Sequence, residues 1–190
     1  NDPHGRQSTV TDARNGATTY THNDADLVES VTTPAPGTGQ PAQTSWTFYN
    51  PMLQAAIVVH PDGTGVTNEY WPSGELKRTY GSRTYPVDYG YSPQGRLTAM
   101  TNWSTFNPAG AGVGARVTTW VYDTARGWLS KKVYAGESDA TTDYYYTLAG
   151  RLWKRVWERG VTTTNTYVAG DLSTVTYSDG TPNVAYSYDR

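Results

Sequence analysis

The residues able to carry acid–base or metal chemistry are few and scattered. Three histidines, His4, His22 and His60, stand in 190 residues that hold no cysteine. None of them falls at His-x-x-x-His spacing, so the usual zinc-ligand pattern is missing. Without Cys, disulfide frameworks, thiolate zinc sites and thiol nucleophiles are excluded. The densest acidic stretch, Asn23-Asp24-Ala25-Asp26, is similar to the start of a calcium loop but lacks the following Gly and the distal Glu. No Gly-x-Ser-x-Gly elbow occurs, and no Gly-rich loop leads into a helix. What remains is aromatic. Tyr145, Trp153 and Trp157 lie among Arg151, Lys154, Arg155 and Arg159. Exposed rings of this kind can stack on a sugar, which makes Tyr145, Trp153 and Trp157 the candidate carbohydrate-binding residues. Basic residues interleaved with aromatics can also serve single-stranded nucleic acid, but cation–π packing inside a sheet explains them as well. With side chains alternating along a strand, Trp153, Arg155 and Trp157 are expected on one face. The expectation is therefore of no catalytic residue, no cofactor-binding residue and no metal ligand: this chain is not an enzyme.

Composition indicates which elements would position those rings. Sixteen Tyr and seven Trp stand against two Phe and two Met. Thr and Val recur, and Lys and Ile are scarce. β-Branched and aromatic residues suit strands, and 19 Gly with 11 Pro suit many turns. Charged residues make up 17% with a net charge of −2, too balanced for a nucleic-acid partner. No apolar run approaches the roughly 18 residues of a membrane-spanning helix.

The chain is an array of repeats. Tyr70-Trp71-Pro72-Ser73-Gly74-Glu75-Leu76 lies over Tyr91-Ser92-Pro93-Gln94-Gly95-Arg96-Leu97 and over Tyr146-Thr147-Leu148-Ala149-Gly150-Arg151-Leu152. The Tyr122 to Leu129 copy carries one insertion and ends its turn at Gly127, while the Tyr167 to Leu172 copy carries one deletion and uses Gly170. Degenerate copies begin at His22 and Tyr49, and half copies hold Gly5 at one end and Tyr188 at the other. The anchors fall at 1, 22, 49, 70, 91, 122, 146, 167 and 188, so a spacing of 21 recurs and the longer intervals are insertions. Each unit reads as two alternating strands and two turns. Gly5, Gly74, Gly95, Gly127, Gly150 and Gly170 are the expected turn residues, where a positive φ is required. Tyr49, Tyr70, Tyr91, Tyr122, Tyr146, Tyr167 and Tyr188 form the expected aromatic ladder, with His22 standing in for a ring. Second turns are expected at Asn15-Gly16, Asp62-Gly63, Ala135-Gly136, Arg159-Gly160 and Asp179-Gly180. The fold class is thus all-β: tandem hairpins of about 21 residues in one long curled antiparallel sheet. Residues 1–190 read as a single array with no domain boundary.

The form Tyr-x-Tyr-Asp-x-x-Gly-Arg-Leu, best kept at Tyr89 to Leu97 and Tyr144 to Leu152 with Thr147 in place of Asp, resembles the YD repeat of the Rhs family. That family includes bacterial polymorphic toxins, shell-forming subunits of ABC-type toxin complexes and the barrels of teneurins. The resemblance implies a hollow β-shell that encloses a toxic C-terminal domain or supports cell-surface adhesion. It implies a secreted or cell-surface bacterial protein, with the remainder of its own shell and an enclosed C-terminal effector as partners. The family's C-terminal core segment, rich in Asp-Pro-x-Gly, has no match here, so this chain reads as an internal piece of a longer shell. Its expected role is structural. A glycan or cell-surface ligand is the alternative partner, and self-association is expected wherever sheet edges stay bare.

Overall fold

The computed structural model describes residues 1–108, 112–136 and 140–189. The chain forms two compact units, Asn1–Asp88 with Phe106–Ala111, and Tyr89–Thr105 with Gly112–Arg190. The first holds β1 (Thr9–Asp12), β2 (Gly16–His22), β3 (Val28–Thr33), β4 (Gln43–Tyr49), β5 (Ala55–Val59), β6 (Gly65–Tyr70), β7 (Leu76–Gly81) and most of β8 (Thr84–Tyr91). The second holds the end of β8, then β9 (Leu97–Asn102), β10 (Arg116–Tyr122), β11 (Leu129–Tyr134) and β12 (Thr141–Tyr146). It continues with β13 (Leu152–Val156), β14 (Thr162–Val168), β15 (Asp171–Tyr177) and β16 (Val184–Ala185). The sheet order is the chain order, each strand bonded to its sequence neighbours, so the sheet is antiparallel and not closed into a barrel. No helix occurs among the described residues.

These residues make strands because Thr, Val and Tyr alternate with few helix formers between Gly- and Asx-rich turns. They do not make a conventional core. Among the described residues Ala140 is the one buried apolar side chain, and the other buried residues are Ser30, Thr142 and Thr163. Cohesion comes instead from cross-strand pairs. Thr21 Oγ1 lies 2.7 Å from Ser30 Oγ, and Thr32 Oγ1 lies 2.8 Å from Thr44 Oγ1. Arg78 forks onto both oxygens of Asp88 across the β7–β8 pair.

A register shift marks every hairpin closed by an anchor turn whose pairing is described. At Tyr49, Tyr70, Tyr122, Tyr146 and Tyr167, and at His22, one residue of the following strand is left unpaired. Opposite Tyr145 and Tyr146 that residue is Trp153, because Tyr145 pairs with Lys154 and Tyr146 with Leu152. Such a bulge flips the alternation downstream of it.

Candidate functional site

The repeated turn is the most built feature of each unit. After the anchor, the chain closes a five-residue loop. The first residue donates its N–H to the fifth residue's carbonyl and accepts from the fourth. This pattern holds at Asp2–Arg6, Asn23–Leu27, Asn50–Gln54, Trp71–Glu75, Ser92–Arg96 and Thr147–Arg151. Where the first residue is Asp, Asn or Ser, its side-chain oxygen also takes N–H groups of the third and fifth residues. Asn50 Oδ1, for example, accepts from Met52 at 2.9 Å and from Gln54 at 3.0 Å. That is the physical reason for a short acceptor after the anchor Tyr. The fourth residue has positive φ, with Gly5 at 84°, Gly74 at 101°, Gly95 at 73° and Gly150 at 82°. In the degenerate copies Asp26 at 61° and Leu53 at 63° take the same place. In the inserted copy, Gly127 has φ 70° and donates to Asp123. The deleted copy uses a different turn: Val168 pairs with Asp171, leaving Ala169 (φ 50°) and Gly170 (φ 102°) as a two-residue hairpin loop.

The anchor rings are fixed by their hydroxyls. Five of them donate to a carbonyl at the start of the previous repeat's outgoing strand. Tyr49 bonds Val28 at 2.7 Å, Tyr70 bonds Ala55 at 3.0 Å, and Tyr122 bonds Leu97 at 2.8 Å. Tyr167 bonds Leu152 at 2.7 Å, and Tyr188 bonds Leu172 at 2.9 Å. These carbonyls sit beside a turn or bulge where the ladder is interrupted, and at Ala55 and Leu152 the side-chain amides of Asn68 and Asn165 donate to the same oxygen at 3.1 and 2.9 Å. Tyr146 instead lies against Trp128, centroids 5.2 Å apart, and burial pushes its hydroxyl pKa up.

The residue after the turn glycine, to which the repeat pattern assigns no role, joins one repeat to the next. Arg96 lies over the Tyr122 ring at 5.7 Å, and Arg151 over Tyr167 at 5.6 Å. Trp128 occupies the same position in its repeat and packs on Tyr146. Gln54 Nε2 reaches the Gly74 carbonyl at 2.7 Å, and Arg6 Nη1 reaches Asp26 at 2.5 Å. A Cβ at Gly127 would lie 2.3 Å from Arg96, and one at Gly150 would lie 2.8 Å from Trp128. At Gly150 the added Cβ would press on the ring of the preceding repeat's arm, while at Gly127 it would displace the flexible tip of Arg96. The recurring Gly-Arg of the repeat motif is the sequence signal for this arm.

Trp153 does not share a face with Arg155 and Trp157, which corrects the strand-alternation expectation. Trp153 is the bulge residue and joins Tyr145, centroids 6.4 Å apart, with Lys154 Nζ within 6 Å of both rings. Arg155 pairs with Tyr144 on the other side and carries Trp157 with it, its guanidinium 3.7 Å from the ring centroid. Tyr145 is 44% exposed and Trp153 39%. Trp157 is half-buried in an open groove with Tyr134, Thr142, Glu158 and Arg159.

The remaining candidates fall in ordinary turn or anchor positions. His4 is exposed in the first anchor turn, His22 ends β2 in an anchor position, and His60 opens the turn after β5. Asn23 Oδ1 is taken by the Ala25 and Leu27 N–H groups, and Asp26 by Arg6. Among the described residues no cluster of three or more His, Asp or Glu is arranged to hold a metal ion.

No family model matches the chain, and no curated protein matches it. Among solved structures it is similar to the crystal structure of TcdB2-TccC3-TEV, at TM-score 0.54 and 12% identity over 90% of this chain. The crystal structures of TcdB2-TccC3-Cdc42 and of TcdB2-TccC3 both give TM-score 0.51, again at 12% identity over 90% of this chain. These neighbours are ABC toxin shell chains with an Rhs-like β-sheet. The chain spans 12% of the length of each. At this identity the likeness is one of fold: a sheet of consecutive antiparallel hairpins like that of the toxin shells.

Proposed function

We propose that this chain is a non-catalytic wall segment of a secreted bacterial Rhs/YD-type β-shell that encloses a C-terminal effector. The observation that carries the reading is the link between successive repeats. An arm from one turn stacks on the next anchor ring, as Arg96 does on Tyr122, while that ring's hydroxyl returns to the first repeat's Leu97 carbonyl. A device that joins each hairpin to its neighbours suits a wall extended strand by strand. The half-polar character of both faces suits a wall between two aqueous or semi-aqueous spaces. The toxin-shell fold similarity supports the same reading. The partners are then the other strands of the same shell and the enclosed effector, with bare edges open to self-association.

The test is limited proteolysis of the intact parent protein. A segment C-terminal to the repeats should resist protease until the shell is opened by denaturant or by cleavage of the wall. A C-terminal segment digested at the rate of a free chain would reject enclosure. Negative-stain images showing no hollow particle would reject the shell.

A further inference from the structure

No Asp, Glu, Lys or Arg occurs from Ser30 to Pro61. The register carries that neutrality onto one face of the first unit. Cross-strand partners share a face, as do residues i and i+2 of a strand. Trp46 pairs with Ser30 on one side and with Val59 on the other, and Phe48 pairs with Ile57. Thr44, Thr32 and Thr19 form a row on the same face. From β1 across to Thr67 of β6, opposite Ile57, the face carries no charge. The next charges on it, Glu69 and Arg78, are ion-paired to Lys77 and Asp88.

The apolar stripe on this face is open, with Trp46 41%, Phe48 46% and Ile57 40% exposed. Three other exposed rings lie under ammonium groups, Trp71 under Lys77, and Tyr145 and Trp153 under Lys154. Trp46 and Phe48 stand instead in the charge-free run. The hydroxyls beside them are already bonded to one another, Thr21 to Ser30 and Thr32 to Thr44. Covering the face therefore strands none of these donors or acceptors, which is the usual cost of burying a polar surface. A sheet face of this kind is buried by a second sheet about 10 Å away.

Charge selects the occupant. The face offers no cation to lipid phosphates, and residues 1–88 hold nine Asp or Glu against five Lys or Arg, which opposes an anionic bilayer. It offers no charge that would select a charged polypeptide either. A second copy brings the same uncharged stripe and the same paired hydroxyls, and across a two-fold axis it sets no like charges against each other. We propose that this face is a contact between two copies of the chain, stacked sheet on sheet with Trp46 and Phe48 at its centre. Five strands at about 4.8 Å and five residues at about 3.4 Å give roughly 400 Å² a copy. The pair buries about 800 Å² in all, at the low end for protein contacts, so the dimer is weak and reversible. It differs from pairing at bare sheet edges, which adds strand to strand without an end, whereas a two-fold stack stops at two copies. The contact holds whether or not the parent forms a closed shell.

The test is sedimentation velocity on the 190-residue chain, from about 10 µM to about 1 mM. The expected result is a reversible passage from monomer to dimer and no further. Phe48→Lys places an ammonium group inside the stack and should weaken association about tenfold or more. Leu148→Lys, at an exposed turn of the other unit, should leave it unchanged. Because the chain holds no cysteine, a second probe keeps the stripe apolar. Ile57→Cys should be linked into dimers by a short bismaleimide about tenfold faster than Leu148→Cys. This comparison decides the matter if Phe48→Lys loses the native circular dichroism. A chain monomeric throughout, a dimer that a folded Phe48→Lys leaves intact, oligomers that grow past two, or equal linking rates at the two cysteines would overturn the proposal. A monomer that floats with phosphatidylcholine vesicles would give the face to lipid and overturn it as well.

Discussion

Tyr122 ties its ring to the preceding repeat twice, through Arg96 on its face and through its hydroxyl to Leu97. Tyr122→Phe keeps the stack and leaves the carbonyl without its donor, so it should cost about 1 kcal/mol, read as a shift in the denaturant midpoint. No loss would mean water replaces the hydroxyl freely. The turn glycines separate two effects. Gly150 and Gly160 have nearly equal φ, 82° and 81°, but a Cβ meets Trp128 only at Gly150 and open space at Gly160. Gly150→Ala should therefore destabilise more than Gly160→Ala, by roughly 1 kcal/mol or more beyond the shared strain of about 1–2 kcal/mol. Equal losses in thermal melts would show that the Trp128 arm moves aside at no cost. At this scale the anchor Tyr and turn Gly were legible because identical residues recur at fixed spacing. The arm after the glycine was not, since Gln54 and Trp128 interrupt the arginines Arg6, Arg96 and Arg151 at that position. Their partner lies one repeat further along the chain. Trp153 was misplaced for a different reason: alternation predicts a face only until a bulge, and nothing in Leu-Trp-Lys-Arg announces one.

At the scale of the hairpin, turn chemistry sets local stability. The Ala169-Gly170 loop puts both residues at positive φ, the requirement of a two-residue turn that favours Asn-Gly. Ala169→Asn should stabilise the β14–β15 hairpin by about 0.5–1 kcal/mol, and an unchanged or lower melting temperature would contradict the turn assignment. The deletion in this copy was visible in the sequence, but the change of turn type was not, because spacing alone does not report backbone dihedrals. The β5–β6 turn carries a pH dependence. Asp62 accepts from the Thr64 hydroxyl at 2.5 Å and from Arg83 at 2.5 Å. These bonds, Thr64 first, hold its carboxyl well below the ordinary 3.8. A depressed folded-state pKa contributes stability above the unfolded value and loses it as pH falls through the folded one. Acidifying from about pH 4 downward should therefore lower the melting temperature of the native chain, and Asp62→Asn should flatten part of that fall. Superimposable pH profiles for the two proteins would place the acid sensitivity elsewhere.

For the molecule as a whole, the sheet order dictates how stability is shared. Each strand bonds only its sequence neighbours, and no buried apolar core unites them, Ala140 being the one buried apolar residue among those described. The architecture was legible because a period that persists along the chain constrains topology more tightly than any local propensity. Such an array behaves as a sum of repeats and nearest-neighbour couplings rather than as one cooperative block. Native-state hydrogen exchange on Gly150→Ala should therefore show faster exchange confined to the β12–β13 hairpin and its flanking strands β11 and β14. There the Trp128 arm and the Leu152 carbonyl make their contacts. Amides in β2 to β5 should exchange as in the native chain, since none of their bonds or ring contacts involves that hairpin. A domain with a shared core responds differently: its slowest amides open only with global unfolding, so one destabilising substitution accelerates them all equally. Uniform acceleration from β2 to β15 would show long-range cooperativity that the nearest-neighbour links do not supply, and a graded, local response would show that the wall is built repeat by repeat.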